Sequence, residues 1–256
     1  MGTLDDILDS TRRRIAEAKQ RVSQDVLEQR FSAAEPPRGF ARALRGDGIS
    51  VIAEIKRATP SAGELDKDLN ASDQARVYAD GGAAAVSVLT EPEFFWGTLD
   101  DLKQAKSAGL PVLRKDFILD EFQVMESRAE GADAVLIIVR IVGDELGHLI
   151  SSTKALGMDP LVEVFDAADL ERALDSGADL IGVNHRNLTT FEVDPDRTAK
   201  LAPQIPDGVT LVALSGVSTR SDVEELASTG VNAVLVGESL VRADDPAAKL
   251  RELLGR

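Results

Sequence analysis

The chain has 256 residues, of which 43% are hydrophobic, a length that fits one large α/β domain or two small ones, and its net charge is −15 at pH 7. The negative charge argues against duplex nucleic acid or an anionic membrane surface as a general partner. The absence of cysteine excludes disulfides and thiolate nucleophiles, and two histidines argue against a multi-histidine metal site. The first residues lack a signal-peptide core and no apolar run could span a bilayer, so we expect a soluble cytoplasmic protein.

The first 48 residues predict a helical extension. Thr3 and Asp6 have the spacing of a weak capping box. The apolar positions that follow recur at roughly helical spacing and predict one amphipathic helix from about residue 4 to residue 30. These positions are Leu4, Ile7, Leu8, Ile15, Ala18 and Val22. The segment AAEPPRGF then interrupts the pattern, and a short helix around residues 40–44 follows.

After Ile49 the sequence changes character, because short runs rich in β-branched residues alternate with longer amphipathic segments. The eight runs are VIAEIK (51–56), AAVSVL (84–89), PVLRKD (111–116), AVLIIV (134–139), PLVEVF (160–165), LIGVNH (180–185), TLVALS (210–215) and AVLVGE (233–238). Alternation of strands and helices implies parallel strands that are joined by helical crossovers.

A repeated pattern supports this count of strands. DGGAAAVSVL, EGADAVLIIV, SGADLIGVN and TGVNAVLVGE each place a helix-ending glycine before the second, fourth, sixth or eighth run. Four such (βα)₂ units favour a closed (β/α)₈ barrel, the TIM-barrel architecture, over an open doubly wound sheet. No G-x-G-x-x-G or Walker motif follows any run, which counts further against a Rossmann dinucleotide-binding fold. We therefore expect a single α/β domain over residues 1–256, with a helical extension at 1–48 and eight β/α units at 49–256.

In such a barrel the active site lies at the C-terminal ends of the strands. The polar residues that the runs place there are Glu54, Lys56, Ser87, Lys115, Asp116, Arg140, Glu163, Asn184, Arg186, Ser215, Glu238 and Ser239. Any one of them could be a solvated rim residue or half of a structural ion pair. The apolar neighbours of Lys115 and Glu163 favour a working position for these two, and a lysine in such a mouth can act as a general acid.

Two glycine-containing turns follow the last strands. SGVS (215–218) comes after the seventh run and VGES (236–239) lies at the end of the eighth. Turns of this kind, leading into helix N-termini, form the usual phosphate cradle of these barrels from backbone N–H groups. The glycines could instead serve only to permit tight turns, but their occurrence in both loops favours phosphate.

Several segments resemble the indole-3-glycerol phosphate synthase family: VIAEIKRATPSAG, SVLTEPEFFWGTLDDL, VLRKDFI, LVEV, IGVNHRNLTTFEVD, SGV and AVLVGESL. The similarity covers essentially the whole chain. It implies closure of 1-(2-carboxyphenylamino)-1-deoxyribulose 5-phosphate to indole-3-glycerol phosphate with release of CO₂ and water. It further implies no metal or organic cofactor, a small phosphorylated substrate as partner rather than nucleic acid or membrane, and a monomer or weak homo-oligomer.

The resemblance also implies catalytic roles for five residues. Lys115 matches the general acid that protonates the departing ketone oxygen, and Glu163 matches a base that also stabilises the iminium charge. Glu54 and Asn184 match groups that position the substrate, and Glu54 is a further candidate for acid–base work. Lys56 matches a group that holds an anionic part of the substrate.

The remaining implied contacts bind the substrate. They include a phosphate cradle at the ends of the last two strands, apolar walls for the aromatic ring, and further groups at the rim. The full set is Thr59, Ser61, Leu89, Phe95, Phe117, Arg186, Leu214, Ser215, Gly216, Gly237, Glu238 and Ser239.

The sequence departs from the family pattern chiefly at Leu214, which stands in VALSG where V-A-E-S-G is usual. Loss of a charge-stabilising carboxylate can raise a barrier by several kcal/mol. Thr59 replaces the usual serine, Phe165 a frequent histidine and His185 a common asparagine or small residue, and Trp96 stands where a smaller or polar residue is frequent. We expect the His185 side chain to point between the barrel and its helices rather than into the site.

These departures leave three alternatives open. The chain could be a synthase that tolerates Leu214 or is slowed by it. It could be a diverged or engineered barrel that binds a phosphorylated or aromatic ligand with reduced or altered activity. A phosphosugar isomerase of related barrel type fits less well, since those enzymes commonly have Asp or Cys where this chain has Glu54.

Overall fold

The computed structural model describes residues 3–60 and 63–256. Within them, eight parallel strands close into a barrel in which each strand pairs with its neighbours in chain order and the last pairs with the first. The strands are β1 (Ser50–Ile55), β2 (Ala85–Leu89), β3 (Val112–Lys115), β4 (Ala134–Ile138), β5 (Asp159–Val164), β6 (Leu180–Asn184), β7 (Thr210–Leu214) and β8 (Ala233–Val236). All eight predicted runs are confirmed, with ends that differ by at most two residues, and so is the (β/α)₈ architecture.

Helices surround the barrel. They are α1 (Leu4–Arg21), α2 (Gln24–Ala33), α3 (Phe40–Ala43), α4 (Ala71–Asp80), α5 (Leu99–Ala105), α6 (Glu121–Ala129), α7 (Val139–Val142), α8 (Leu146–Ala155), α9 (Ala167–Asp175), α10 (Arg197–Leu201), α11 (Arg220–Ala227), α12 (Glu238–Val241) and α13 (Pro246–Leu254). Short 3₁₀ turns occupy Lys106–Ala108, Gly143–Glu145 and Ala202–Gln204, and a two-stranded antiparallel ribbon pairs Ala58–Thr59 with Gly63–Glu64.

The alternation of side chains along β1 decides what faces the barrel interior. Val51, Ala53 and Ile55 pack in the layer between the strands and the helices. Ile52 belongs to the cluster that fills the barrel interior, and Glu54, two residues further on, lines the cavity above it. Because side chains on a strand alternate between two faces, Glu54 lies on the same face as Ile52 and points into the cavity.

The repeated glycines end helices, as the sequence pattern predicts. Gly82, Gly131, Gly177 and Gly230 all have positive φ angles, between 80° and 90°. A residue in this left-handed conformation stops a helix, and glycine adopts it without steric cost.

The prediction of one helix over residues 4–30 is wrong, because the chain forms two helices there. Val22 is extended, with φ −133°, and Ser23 precedes α2 as its N-cap residue. The break lets α2 turn onto the outside of the barrel, where Leu27 packs with Phe122 and Met125 of α6. Burial of these side chains outweighs continuation of the first helix.

The N-terminal extension contacts both ends of the barrel. Thr3 and Asp6 form the predicted capping box at the start of α1, and Ile7 of α1 packs into the interior cluster together with residues from the strand ends. At the opposite end, the Ala41 backbone N–H of α3 donates to Asp159, the first residue of β5, at 2.9 Å.

Candidate active site

A cavity of about 480 Å³ opens at the C-terminal ends of the strands. It is lined by all the catalytic and substrate-binding residues that the family resemblance implies, except Ser61, which lies outside the described residues. They are Glu54, Lys56, Thr59, Leu89, Phe95, Lys115, Phe117, Glu163, Asn184, Arg186, Leu214, Ser215, Gly216, Gly237, Glu238 and Ser239. The fold therefore brings together residues from six strands, from the loops that follow strands, and from the turn after β8.

Glu54 holds two lysines at one side of the cavity. Its Oε1 lies 2.6 Å from Lys56 Nζ, and its Oε2 lies 3.5 Å from Lys115 Nζ. Burial disfavours the Glu54 carboxylate, but the positive charges of Lys56 and Lys115 outweigh this effect and lower its pKa. Glu54 is therefore an anion at neutral pH that fixes the ammonium group of Lys115 at the rim of the cavity.

Glu163 is the second buried carboxyl group of the cavity. Asn184 Nδ2 donates to Glu163 Oε1 at 2.9 Å, and Asn184 Oδ1 accepts from the backbone N–H of Arg186 at 3.0 Å. Burial raises the pKa of Glu163, and the charge of Lys115 offsets only part of this effect. A carboxyl group whose pKa is raised toward neutrality can exchange protons with a bound molecule.

The turns after β7 and β8 meet at one end of the cavity. Ser215 and Gly216 both have left-handed φ angles, 70° and 80°. At Gly237 an added Cβ would overlap Glu54 Oε1 and lie 2.8 Å from Lys56 Nζ. Glycine therefore lets the start of α12 lie against the charged pair without displacing it, and a helix start beside a lysine is a favourable place for an anion.

Two aromatic rings form an apolar part of the cavity wall. The rings of Phe95 and Phe117 lie 6.3 Å apart with an interplanar angle of 39°. The loop that carries Phe95 is fixed by the Glu91 carboxylate, which accepts the backbone N–H groups of Phe94 at 2.6 Å and Phe95 at 3.2 Å. An aromatic group can pack here against a wall whose position is set by buried hydrogen bonds.

Leu214 forms part of the cavity floor. Its side chain is only 1% exposed and belongs to the apolar cluster of the barrel interior. A Cβ on Gly182 of the neighbouring β6 would lie 2.7 Å from Leu214 Cδ1, so the leucine fills the space above this glycine. The position is occupied by a closely packed apolar side chain.

Leu188 and Phe191 are among the residues of the cavity wall that the sequence analysis missed. Leu188 and Phe191 belong to the loop after β6, which folds back through a bridge between Arg186 and Val193 and lines the cavity. The guanidinium of Arg186 donates to the Phe191 carbonyl at 3.1 Å. The available signal was the presence of two large apolar residues in an otherwise polar segment directly after a strand.

Two predicted strand-end residues lie outside the cavity lining. Arg140 belongs to α7, which begins directly after β4, and this turn carries its guanidinium outward to Asp166 and Asp169. Ser87 is fully buried within β2. His185 points away from the cavity, as expected, and its Nε2 lies 2.6 Å from Thr198 Oγ1 on α10.

Across 3–60 and 63–256, no three or more histidine, aspartate or glutamate side chains come together as a set of metal ligands. None of the helices in this part of the chain combines the length and the apolar character that are needed to cross a bilayer.

The comparison with known proteins agrees with the geometry. The sequence model of the indole-3-glycerol phosphate synthase family matches residues 4–253. The chain is 46% identical over 256 residues to Indole-3-glycerol phosphate synthase 1 of Streptomyces coelicolor, with 99% of this chain and 95% of that protein covered. It is 48% identical over 251 residues to the Multifunctional tryptophan biosynthesis protein of Schizosaccharomyces pombe, where the match covers 94% of this chain but only 33% of that longer protein.

A solved structure shares the fold at much lower identity. Thiamine phosphate pyrophosphorylase from Pyrococcus furiosus superimposes with a TM-score of 0.61 and 17% identity, over 83% of this chain and 96% of that one. This likeness concerns the barrel alone. The match to the synthase family extends over nearly the whole chain and does not favour a repurposed barrel or an isomerase. The chain belongs to the indole-3-glycerol phosphate synthase family.

Proposed function

We propose that the chain closes 1-(2-carboxyphenylamino)-1-deoxyribulose 5-phosphate to indole-3-glycerol phosphate, with loss of CO₂ and water. The observation that carries this proposal is the arrangement of Lys115 in one cavity with two carboxyl groups of different character. Glu54 holds the lysine at 3.5 Å, and the pKa of Glu163 is raised by burial. The identity of the substrate in this proposal rests on membership of the synthase family.

In this proposal Lys115 acts as the general acid. Its ammonium group belongs to a side chain that is 23% exposed, so it can reach a bound molecule while Glu54 holds it. The substrate ketone oxygen takes a proton from Lys115 as the carbon–carbon bond forms and becomes a hydroxyl group. The carboxylate then leaves as CO₂, and the electrons of its bond neutralise the iminium. The hydroxyl group takes a second proton from Lys115, which solvent has reprotonated, and departs as water. Proton transfer of this kind contributes about 10²–10⁴-fold to a rate.

Glu163 is proposed to act as the base and to stabilise positive charge. In its ionised form it faces the iminium that develops when the ring closes, and it accepts a proton as the aromatic indole forms. Asn184 fixes the orientation of this carboxyl through the 2.9 Å hydrogen bond. The raised pKa of Glu163 favours proton uptake.

The rest of the cavity is proposed to bind the substrate. The turns at Ser215–Gly216 and Gly237–Ser239 receive the phosphate, with Lys56 beside them. Arg186 holds a further anionic group, and Phe95 and Phe117 hold the anthranilate ring with Leu89. The glycine turns with Lys56 beside Gly237 and the paired rings of Phe95 and Phe117 offer separate contacts for the charged and the aromatic parts of the substrate.

The assignment is tested by incubating the purified protein with the carboxyphenylamino-deoxyribulose phosphate. We expect an increase in indole fluorescence above the constant signal of Trp96, and release of one CO₂ per indole formed. The variant Lys115→Ala serves as the control for uncatalysed reaction. No product above this control would contradict the proposed activity.

We also propose that the enzyme acts in the cytoplasm as a monomer or weak homo-oligomer. The high negative charge and the charged phosphate ester of the proposed substrate support a water-filled compartment. Cell fractionation and light scattering after gel filtration test these two points separately. Recovery in a membrane fraction, or a stable assembly that persists at nanomolar concentration, would contradict them.

A further inference from the structure

The turn that follows β7 has an unusual backbone. Ser215 has a φ of 70° although it carries a side chain, and Gly216 follows with a φ of 80°. Residues other than glycine seldom adopt this left-handed region, because the Cβ atom approaches the backbone too closely. Two consecutive left-handed residues therefore need support from their surroundings.

His185 lies directly behind this turn. It follows β6, its side chain is buried, and its backbone N–H donates to the Leu214 carbonyl at 2.9 Å. Its Nδ1 lies 3.7 Å from the position that a Cβ on Gly216 would occupy. Burial lowers the pKa of the ring, and the Ser215 backbone opposes this effect, as an acceptor that faces the imidazole does.

The second ring nitrogen is fixed from the other side. Nε2 lies 2.6 Å from Thr198 Oγ1 on α10. The neutral ring carries one hydrogen. When Nε2 accepts from the Thr198 hydroxyl, that hydrogen lies on Nδ1, the nitrogen beside the turn. Burial and the neighbouring charge of Arg197 lower the pKa of His185, which maintains the neutral ring at physiological pH.

We propose that His185 is a positioning residue that holds the Ser215–Gly216 turn in the shape that receives the phosphate group. It lies outside the cavity and acts through the turn. The functional part of this inference rests on the proposed function, in which this turn binds phosphate. The structural part, the support of the turn, does not depend on the reaction.

The test compares three substitutions that separate the two ring nitrogens. His185→Asn keeps an N–H donor near the position of Nδ1, His185→Gln keeps one near the position of Nε2, and His185→Ala removes both. His148→Ala is the matched control, since His148 is the only other histidine and lies on the outer surface beside Glu121 at 3.1 Å.

The first readout is hydrogen exchange of the amides of residues 214–218, which requires no activity. We expect faster exchange there in His185→Ala and His185→Gln, and exchange close to that of the unchanged protein in His185→Asn and in the surface control. His185→Gln retains most of the side-chain volume, so it keeps the comparison usable if His185→Ala fails to fold.

The second readout is steady-state kinetics, with inorganic phosphate as a competing anion. We expect KM and the phosphate inhibition constant to rise about three- to tenfold in His185→Ala and His185→Gln, as for loss of one hydrogen bond. We expect kcat to stay within about twofold of the original value, because the proton-transfer groups are untouched. His185→Asn should restore both constants.

The outcomes separate this inference from the proposed function. If amide exchange in residues 214–218 is unchanged in both His185→Ala and His185→Gln, His185 does not support the turn. The same conclusion follows if His185→Asn and His185→Gln change the exchange equally. Altered exchange with unchanged KM in an active enzyme would overturn the link to phosphate. If the unchanged protein forms no indole while exchange follows the expected order, the proposed activity fails and the support of the turn stands.

Discussion

Glu54 and Glu163 face the same cavity and are buried to nearly the same extent, 3% and 4% exposed, yet their pKa values are shifted in opposite directions. Burial acts on both. At Glu54 the charges of Lys56 and Lys115 outweigh it, whereas at Glu163 burial outweighs the charge of Lys115. One cavity thus contains a carboxylate that is fixed as an anion and a carboxyl group that is prepared to exchange a proton.

Replacement of Glu163 by Gln should stabilise the protein at neutral pH. A raised pKa means that the folded protein holds this proton more tightly than the unfolded chain, so stability falls as the pH rises from the unfolded value of 4.5 through the folded pKa. Glutamine removes this penalty and can still accept from Asn184, while kcat should fall about 10²–10⁴-fold. Urea unfolding at pH 4 and pH 7.5 checks this expectation, and an equal free-energy difference at both pH values would contradict it.

Replacement of Glu54 by Gln should have the opposite effect on stability. A lowered pKa stabilises the folded protein above the unfolded value of 4.5, and this stabilisation is lost as the pH falls through the folded pKa. Loss of the carboxylate leaves Lys56 and Lys115 without their partner and should cost about 3–5 kcal/mol at neutral pH. The same unfolding series measures this loss of stability. The double variant that carries both Lys56→Met and Glu54→Gln shows how much of the loss belongs to the Lys56–Glu54 pair. A Glu54→Gln protein as stable as the original at pH 7.5 would rule out this account.

Replacement of Lys115 by Met should abolish the proton donor while leaving the fold intact. The side chain lies at the end of β3 and is partly exposed, so its loss leaves no buried gap of its own size. We expect kcat to fall about 10²–10⁴-fold with a small change in KM. Single-turnover measurements of indole formation test this expectation. Lys115→Arg is the control, because arginine keeps the positive charge but does not readily release a proton. Retention of more than a tenth of the activity by the methionine variant would exclude Lys115 as the general acid.

Replacement of Gly237 by Ala should damage substrate binding without any change of charge. The new Cβ would meet Glu54 Oε1 and Lys56 Nζ, so the charged pair must move or the turn before α12 must open. Gly147 in α8 is the matched control, because nothing lies within 4 Å of a Cβ there. We expect Gly147→Ala to stabilise the protein by about 0.5–1 kcal/mol with unchanged kinetics, and Gly237→Ala to raise KM. Equal KM values in the two variants would show that the close approach at Gly237 does not matter.

Replacement of Leu214 by Glu should raise kcat and lower stability. A carboxylate on the cavity floor adds preorganised negative charge where the iminium develops, and one such group is worth up to about 10²–10³ in kcat. The same change buries a further charge in an apolar cluster, which lowers the free energy of unfolding. Leu214→Gln separates polarity from charge. An unchanged kcat in the Glu variant would show that Glu54 and Glu163 already supply what the reaction needs.

Much of the barrel could be predicted from the sequence because its signals are local. Each strand is a short run of β-branched residues, and the two-residue period decides which side chains face inward, as in Ile52 and Glu54 of β1. The helix-ending glycines, such as Gly131 and Gly177, mark where the following strand begins. Residues at strand ends converge by the geometry of a closed parallel barrel, which does not depend on side-chain detail.

The features that were missed depend on contacts between distant parts of the chain. Phe191 lines the cavity because the loop after β6 folds back and is tied to Arg186, and no local pattern specifies this path. The break after Val22 follows from packing of Leu27 against α6, which comes about a hundred residues later. The outward position of Arg140 follows from a helix that begins without any intervening loop.

The contacts of the N-terminal extension have a consequence for the order of folding during synthesis. Ala41 bonds to a residue 118 positions later in the chain, and Arg45 donates at 2.7 Å to Thr210, 165 positions later. β1 must likewise wait for β8, which contains its last pairing partner. The extension is synthesised before the strands that it contacts, so it is among the last parts of this chain to find its place. Its apolar face needs protection from aggregation until most of the barrel has emerged.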